Sequence, residues 1–308
     1  GDQTVTWGLT GNLAPVISST SSSLTFSPTT APASGTITAT HPTATDDATG
    51  TISVSVGIER NVLVLENASG NTPEVGNVAL TTGETLTVHA ASFDADKNYV
   101  QDVSVSWLLS GNIGSLNPTT GISTTLTAST AGTGVITADH PTIIDDATGS
   151  ITVSAGTLSF VKIVEGTASD GPEWGGREQT TDDVLQVHAA GYDAQGNYLG
   201  DQPVNWSVTG GIGTLNPVFG TSTSLRLTSP GSGQLVADHA SAADDSSGVL
   251  TVTGGSLYRV KVLIGASGNS PEVTSHTMTT DDVFTVHAGG FDINNNYLGD
   301  VIVEGDDV

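Results

Sequence analysis

Apolar and polar residues alternate in short runs along most of the chain. In the run "TLTVHAASF", residues 85–93, Leu86, Val88 and Ala90 fall on one side of an extended chain, and the residues between them are polar. A period of two is the pattern of a β-strand with one buried face. Similar runs rich in Thr, Val and Ile are separated by clusters of Gly, Pro, Asn and Asp, which are typical of turns. No stretch sustains a period of 3.6 residues, so the pattern predicts an all-β chain without substantial helix.

This alternating pattern repeats about every 99 residues. A histidine in "VHAA" or "VHAG" recurs at that spacing, and so does a histidine in a second segment, "THPTATDDATG" in its first copy. Three of the four tryptophans recur at spacings of 100 and 99. The repeated residues are His89, His188 and His287; His41, His140 and His239; and Trp7, Trp107 and Trp206. A fixed period of this length indicates three copies of one folding unit.

About seven short predicted strands in a unit of about 100 residues are the pattern of tandem immunoglobulin-like β-sandwich domains. Trp107, in "DVSVSW", takes the place of the tryptophan that this fold buries on its third strand. The run "TLTVHAASFDADKNYVQDVSVSW", followed by "GSLNPTTGISTTLTASTAGTGVITAD", resembles bacterial immunoglobulin-like repeats of the invasin and intimin type. The resemblance covers nearly all of each unit. It implies a surface stalk, adhesin or filament, with binding usually at a tip module that is not recognisable in this sequence.

Glycine-containing runs near Gly57, Gly156 and Gly255 mark the junctions between units. The predicted domains are 1–56, the second half of a repeat; 57–155 and 156–254, two complete repeats; and 255–308, the first half of a repeat. Neither half can bury its apolar face alone. We expect either a window of a longer covalent repeat protein or a head-to-tail homopolymer, in which the last half of one subunit completes the first half of the next. The absence of a third-strand tryptophan from the last copy, where Gly305 stands, favours the homopolymer.

Charge narrows the range of partners. The chain has 32 acidic and 7 basic residues, a formal net charge of −25 at pH 7. Seven scattered Lys and Arg cannot neutralise a phosphate backbone, and an anionic membrane surface would repel the chain, so we expect no nucleic-acid partner and no membrane insertion. There is no cysteine for a disulfide or a thiolate zinc site, and no run of roughly 18 apolar residues for a membrane span. The acidity suits divalent cations, and with the resemblance it predicts an extracellular or cell-surface location.

Each unit contains a loop with alternating oxygen-bearing side chains, "DADKN" in the first complete unit. Oxygen ligands at positions one, three and five are typical of Ca²⁺ loops, but Tyr99 and Val105 stand where an EF-hand needs Gly and Glu. The same residue types suit a hairpin turn, in which Asp caps the backbone and Asn or Gly takes a positive φ. We favour the turn and keep a weak calcium site as the alternative. The candidates are Asp94, Asp96, Asn98 and Asp102; Asp193, Asn197 and Asp201, with Gln195; and Asp292, Asn294 and Asn296, with Asp300.

A second polar cluster lies in "DHPTIIDDATG", with His140, Asp145 and Asp146. Two adjacent carboxylates repel each other unless a cation lies near, so this pair is a second calcium candidate, repeated as Asp244 and Asp245. We favour an exposed acidic loop whose Asp and Thr side chains cap its own turn. A single imidazole per loop and the absence of thiolates argue against a transition metal.

The segment "GPEWGGRE", residues 171–178, differs strongly from its counterparts "GNTPEVGN" and "GNSPEVTS". It offers Trp174 and Arg177 as candidate ligand-binding residues, on the expectation that a binding unit carries its own exposed aromatic. No G-x-S-x-G nucleophile elbow occurs, and a triplicated unit suits a spacer better than an enzyme. We therefore predict a structural protein of tandem domains that is not an enzyme. The alternative is an adhesin that recognises a glycan or a protein.

Overall fold

A computed structural model of the 308-residue chain describes residues 3–13, 15, 19–70, 72–166 and 171–302. All regular elements in these ranges are β-strands, which confirms the all-β prediction. In the described part of the chain, no helix has the length and apolarity that crossing a membrane requires. The chain divides into two compact units, Gly1–Ser154 and Ala155–Val308.

Unit 1 begins with a small β-structure formed by the described residues between 3 and 54. Its described strands are β1 (Val5–Leu9), β2 (Ser19–Ser21), β3 (Ala33–Gly35), β4 (Ile37–Thr40), β5 (Asp47–Ala48) and β6 (Ile52–Val54). One antiparallel sheet has the order β2-β1-β4-β5, and β3 pairs with β6. Trp7 in β1 is only half-buried, although its ring nitrogen donates to the Ser21 carbonyl oxygen at 3.2 Å.

The rest of unit 1 is a β-sandwich. Its described strands are β7 (Asn61–Leu65), β8 (Val78–Thr81), β9 (Thr85–Phe93), β10 (Tyr99–Asp102), β11 (Val105–Leu109), β12 (Gly114–Asn117), β13 (Thr120–Gly121), β14 (Ser123–Ala128), β15 (Gly132–Gly134), β16 (Ile136–Asp139), β17 (Asp146–Ala147) and β18 (Ile151–Ser154). One sheet has the order β10-β9-β14-β12, with β7 also on β9, and a second has the order β13-β11-β16-β17. In a third, β15-β18-β8, strands β18 and β8 run parallel.

Unit 2 repeats this sandwich with the same order of elements. Its strands are β19 (Phe160–Glu165), β20 (Glu178–Thr180), β21 (Val184–Tyr192), β22 (Tyr198–Asp201), β23 (Val204–Val208), β24 (Gly213–Asn216), β25 (Phe219–Gly220), β26 (Ser222–Leu227), β27 (Gly231–Gly233), β28 (Leu235–Asp238), β29 (Asp245–Ser246) and β30 (Leu250–Thr253). Each sandwich has twelve described strands rather than about seven, and part of the excess consists of pieces of two or three residues, such as β25 and β29. Again the last strand, β30, runs parallel to an early one, β20.

The end of unit 2 contains a single antiparallel sheet. Its described strands are β31 (Arg259–Leu263), β32 (His287–Phe291) and β33 (Tyr297–Asp300), in the order β31-β32-β33. These strands correspond to β19, β21 and β22 of the preceding repeat.

Each complete repeat has its own hydrophobic core between its sheets. One core draws its buried residues from positions 62–153 and the other from positions 161–252, so each lies inside one predicted repeat. Trp107 and Trp206 are buried in these cores, and their ring nitrogens donate to the carbonyl oxygens of Gly121 and Gly220 at 3.1 and 3.0 Å. Burial of one large aliphatic side chain contributes about 1.5–3 kcal/mol, so these cores dominate the stability of the sandwiches. The exact domain boundaries stay a prediction.

Candidate functional site

The loop between β9 and β10 is a hairpin turn built around Asp94. The Asp94 N–H donates to the Asn98 carbonyl oxygen at 3.0 Å, and the Lys97 N–H donates to the Asp94 carbonyl oxygen at 3.2 Å. Lys97 has a φ of 66°. The Asp94 carboxylate accepts hydrogen bonds from the N–H groups of Asp96 and Asn98 at 3.0 and 2.9 Å, so it caps the backbone of its own turn.

The two later copies of the loop have the same geometry. Asp193 accepts from the N–H groups of Gln195 and Asn197 at 3.0 and 2.8 Å, and Asp292 accepts from the Asn296 N–H at 2.7 Å. The residue at the fourth position again has a positive φ, 84° at Gly196 and 70° at Asn295. The first aspartate is 5% exposed in the first complete repeat and 0% exposed in the two later copies, so in every copy it is a buried acceptor.

Hydrogen bonds hold two of these carboxyl groups in their ionised form. Burial is the largest single influence and would raise the pKa of Asp94, but it is outweighed by hydrogen bonds from Gly57, Asn98 and Asp96, and the pKa lies below its ordinary value. Asp292 follows the same rule: burial raises its pKa, and hydrogen bonds from Thr181 and Asn296, among others, lower it further than burial raises it.

The last aspartate of each loop forms a hydrogen bond with a tyrosine of the same hairpin. Asp102, Asp201 and Asp300 lie at the ends of β10, β22 and β33, and each accepts a hydrogen bond from a tyrosine three residues earlier, at 3.0, 2.8 and 2.7 Å. Across the described residues, no group of three or more His, Asp or Glu side chains is placed to hold a metal ion. Calcium binding by these loops stays a prediction.

The two carboxylates of the second cluster serve different purposes. Asp145 accepts from the His140 N–H at 2.7 Å and so closes its own loop, whereas Asp146 accepts from the Val64 N–H at 2.7 Å and so fastens strand β7. The next repeat has the same two contacts: Asp244 with the His239 N–H at 2.8 Å, and Asp245 with the Ile163 N–H at 2.7 Å. His41 and Asp46 have the first of these contacts, at 3.0 Å. Adjacent aspartates therefore hold a loop and a strand within one repeat.

Asp245 differs electrostatically from Asp94 and Asp292. Burial raises its pKa, and the hydrogen bonds from the backbone N–H groups of Ile163 and Ser246 only partly offset that effect. Its ionised form is therefore tolerated rather than stabilised by the fold.

Trp174 lies in the core of unit 2, where the sequence led us to expect an exposed aromatic. It is 4% exposed and packs with the buried residues of its repeat. The Arg177 guanidinium carbon lies 4.3 Å from the centre of its ring, and both guanidinium ends donate to Glu165, which lowers the pKa of that carboxyl. The expectation of an exposed stacking surface was wrong because a bulky apolar side chain beside β19 gains more from burial than from solvent. Ligand binding by Trp174 and Arg177 stays a prediction.

Sequence reasoning missed a histidine–aspartate contact on the strand face opposite the core residues Val187 and Ala189. His188 is 2% exposed, and its Nδ1 lies 3.0 Å from Asp201 Oδ1 without hydrogen-bond geometry. In the last sheet, His287 Nδ1 hydrogen-bonds Asp300 Oδ2 at 3.0 Å. The signal was the constant offset of 13 residues between histidine and aspartate in each repeat.

Comparisons with known proteins concern the fold. No protein-family model matches the chain, and no curated protein matches it. Similar solved structures include the Escherichia coli adhesin FdeC, with 17% identity over 79% of this chain and 77% of that chain and a TM-score of 0.32. The D00-D0 domain of intimin has 9% identity over 62% and 99% of the two chains and a TM-score of 0.35. The Yersinia pseudotuberculosis adhesin InvE has 11% identity over 70% and 64% and a TM-score of 0.24. Intimin is one of the proteins whose repeats this sequence resembles, but likeness at this level carries no argument about binding or activity.

Proposed function

We propose that the chain is a structural segment of an extracellular protein, in which tandem immunoglobulin-like domains form a cell-surface stalk or filament. One observation carries the proposal: strands, core residues and polar contacts recur together with the 99-residue period. The bond from Trp107 to Gly121 recurs from Trp206 to Gly220, and the bond from Val64 to Asp146 recurs from Ile163 to Asp245. The repeated residues in these contacts stabilise their own domain. A module of this kind suits a spacer, because adding copies lengthens the protein.

Exposed apolar side chains at the end of unit 2 support a finer form of the proposal. Val260 and Val262 are 50% and 48% exposed, while their counterparts Val161 and Ile163 are 2% and 0% exposed beneath the second half of their repeat. We propose that the second half of an equivalent repeat covers this face too, and that residues 3–54 of a second copy supply it head to tail. Alternatively, the covering half-repeat is the next part of a longer polypeptide.

Sedimentation across a range of concentrations tests the head-to-tail form. We expect species that grow with concentration, and a variant without residues 255–308 that stays monomeric while residues 57–254 remain folded. Polymers formed by that variant, or a full chain that stays monomeric at every concentration, would reject head-to-tail completion. The stalk itself is tested by small-angle scattering of the monomer: an elongated particle is expected, and a compact one would reject it.

A cavity beside Trp174 supports ligand binding as a second candidate function. It has a volume of about 350 Å³ and is lined in part by Glu165, Arg177, Gln179 and Gln186. Binding of a glycan or a peptide by this cavity would make the segment part of an adhesin. On a glycan array, Arg177→Gln and Gln186→Ala should abolish binding without unfolding the repeat, and binding that survives both changes would reject this role.

A further inference from the structure

The aspartate loops contact the segment that precedes them in the chain, and this arrangement occurs at a junction in each unit. We propose that the first Asp and the fifth-position Asn of these loops form a clasp that fixes the angle between consecutive domains. The inference rests on the proposed function, because such a clasp matters only in a tandem array.

In unit 1, Asn98 links the two sides of the junction. Its Oδ1 accepts from the Ala31 N–H at 2.9 Å, and its Nδ2 donates to the Thr29 carbonyl oxygen at 3.1 Å. The same amide group donates to Asp94 Oδ1 and Oδ2 at 3.1 and 3.0 Å, while Asp94 Oδ2 accepts from the Gly57 N–H at 2.9 Å. One amide and one carboxylate thus join the preceding segment, the linker and the loop.

The junction in unit 2 uses the corresponding residues. Asn296 Nδ2 donates to the Thr228 carbonyl oxygen at 2.9 Å and to Asp292 Oδ2 at 2.8 Å. The Thr181 hydroxyl, from the preceding repeat, donates to Asp292 Oδ2 and accepts from the Gly255 N–H at 2.8 Å. The carboxylate is therefore held from both sides of the junction.

Two further contacts belong to this second junction. Asn294 Nδ2 donates to the Thr181 carbonyl oxygen at 2.8 Å, and the Ser256 N–H donates to Asp182 Oδ2 at 2.7 Å. The third position of the loop, which suggested a calcium ligand in the sequence, here binds the neighbouring domain.

The turn alone does not explain these residues. Asparagine stands at the fifth position in all three copies. In the two junctions described, its amide donates both to the aspartate of its own loop and to a carbonyl oxygen of the preceding segment, so the turn accounts for only half of its contacts. The second to fourth positions vary, reading Ala-Asp-Lys, Ala-Gln-Gly and Ile-Asn-Asn. A buried carboxylate also needs donors to replace water, and here the donors come from the linker and the neighbouring domain as well as the turn. A clasp across the junction accounts for both observations.

Amide hydrogen exchange and domain alignment in the full chain test the clasp. Asn98→Ala removes the acceptor of the Ala31 N–H, so exchange at Ala31 should become roughly fivefold faster or more, as expected for one lost hydrogen bond. Residual dipolar couplings should show that residues 19–54 and 57–154 no longer share one alignment. Asp96→Ala is the matched control in the same loop, because only its backbone N–H contributes to the turn; it should change neither readout.

Unchanged exchange at Ala31 together with a retained common alignment would overturn the clasp. If Asn98→Ala also accelerates exchange at buried Val64 and Val88, the fold itself is damaged, and Asn296→Ala decides instead. That variant should separate the alignments of residues 171–254 and 255–302, and a retained common alignment would overturn the clasp. Failure of the stalk proposal looks different: the unmodified chain would scatter as a compact particle while Ala31 stays protected.

Discussion

Residues 156–254 and residues 255–302 begin with closely related sequences but form different amounts of structure. Strand β21 spans Val184–Tyr192, whereas its counterpart β32 spans only His287–Phe291. The missing part of the strand, residues 283–286, corresponds to the part of β21 that pairs with β26. No counterpart of β26 exists among the described residues of the last segment, so the same alternating pattern stays without a partner.

This contrast shows that a partner decides whether the pattern becomes a strand. The sequence "DDVLQVHA" forms strand beside β26, and "DDVFTVHA" forms strand only at its final two residues, where β31 pairs with it. An alternating sequence provides an apolar face. The strand that pairs with it and the sheet that covers this face must come from elsewhere in the chain.

Adding the second half of a repeat to the last segment should have the largest effect on the difference between the two regions. If residues 203–254 are joined after Val301, the last segment should become a complete sandwich with a stability of the order of 5–15 kcal/mol, as is usual for a domain. Hydrogen exchange, measured where the chain is monomeric, should then protect residues 283–286 as strongly as residues 184–187. The same fusion with Trp206→Ala and Leu235→Ala in the appended copy is the control and should fail to protect them.

Truncation of one core position in both regions should have the next largest effect. Ile163→Ala should destabilise its repeat by about 2–5 kcal/mol, because the side chain is fully buried. Val262→Ala, at the corresponding position, should change stability by less than about 0.5 kcal/mol, because the valine is half exposed. Urea unfolding of the monomer, followed by hydrogen exchange in each segment, provides the measurement. Equal losses at the two positions would contradict the exposed face of the last sheet.

The smallest expected effect is on the pH dependence of stability, which should differ between Asp245 in the first region and Asp292 in the second. The pKa of Asp292 is lowered in the fold, so its ionised form stabilises; this contribution is complete above the ordinary Asp range and is lost as the pH falls through the lowered value. The pKa of Asp245 is raised, so its ionisation opposes folding, and this cost is relieved as the pH falls through the raised value.

The corresponding asparagine variants should therefore change stability in opposite directions at pH 7. Asp245→Asn keeps an oxygen for the Ile163 N–H and removes the cost of the buried charge, so it should stabilise the repeat. Asp292→Asn should destabilise the junction by about 1 kcal/mol, as expected for one weakened hydrogen bond. Urea unfolding of each variant between pH 3 and pH 7 measures both effects. Changes of the same sign in the two variants would contradict the opposite pKa shifts of the two carboxyl groups.

The fold class could be predicted from sequence because alternation and turn residues act locally. Val88 and Ala90 share a strand face in the sequence, and both are fully buried. The burial of Trp174 was not predictable in this way, because nothing in "GPEWGGRE" alternates; its place in the core depends on pairing beside β19, where the Trp174 N–H donates to the Ile163 carbonyl oxygen at 2.8 Å.

The aspartate loops were predictable only in part. Residue types within five positions indicate a turn, and the turn geometry at Asp94 follows them. Asn98 donates to Thr29 and accepts from Ala31, nearly 70 positions away in the chain, and no local pattern specifies which segment an asparagine will contact. Repetition of the asparagine at one position was the available clue.

The parallel pairing of β8 with β18 determines how a repeat would respond to tension. Ile151 lies opposite Val78 and Ser154 opposite Thr81, and the chain leaves the domain directly after β18. Force applied at the two ends of the repeat would pull these parallel strands in opposite directions along their length, so the hydrogen bonds between them would be sheared together rather than opened one after another. The same ladder recurs between β20 and β30. Because the chain enters each repeat through β7 or β19, which pairs with β9 or β21, tension would reach this ladder once that first strand has been pulled away.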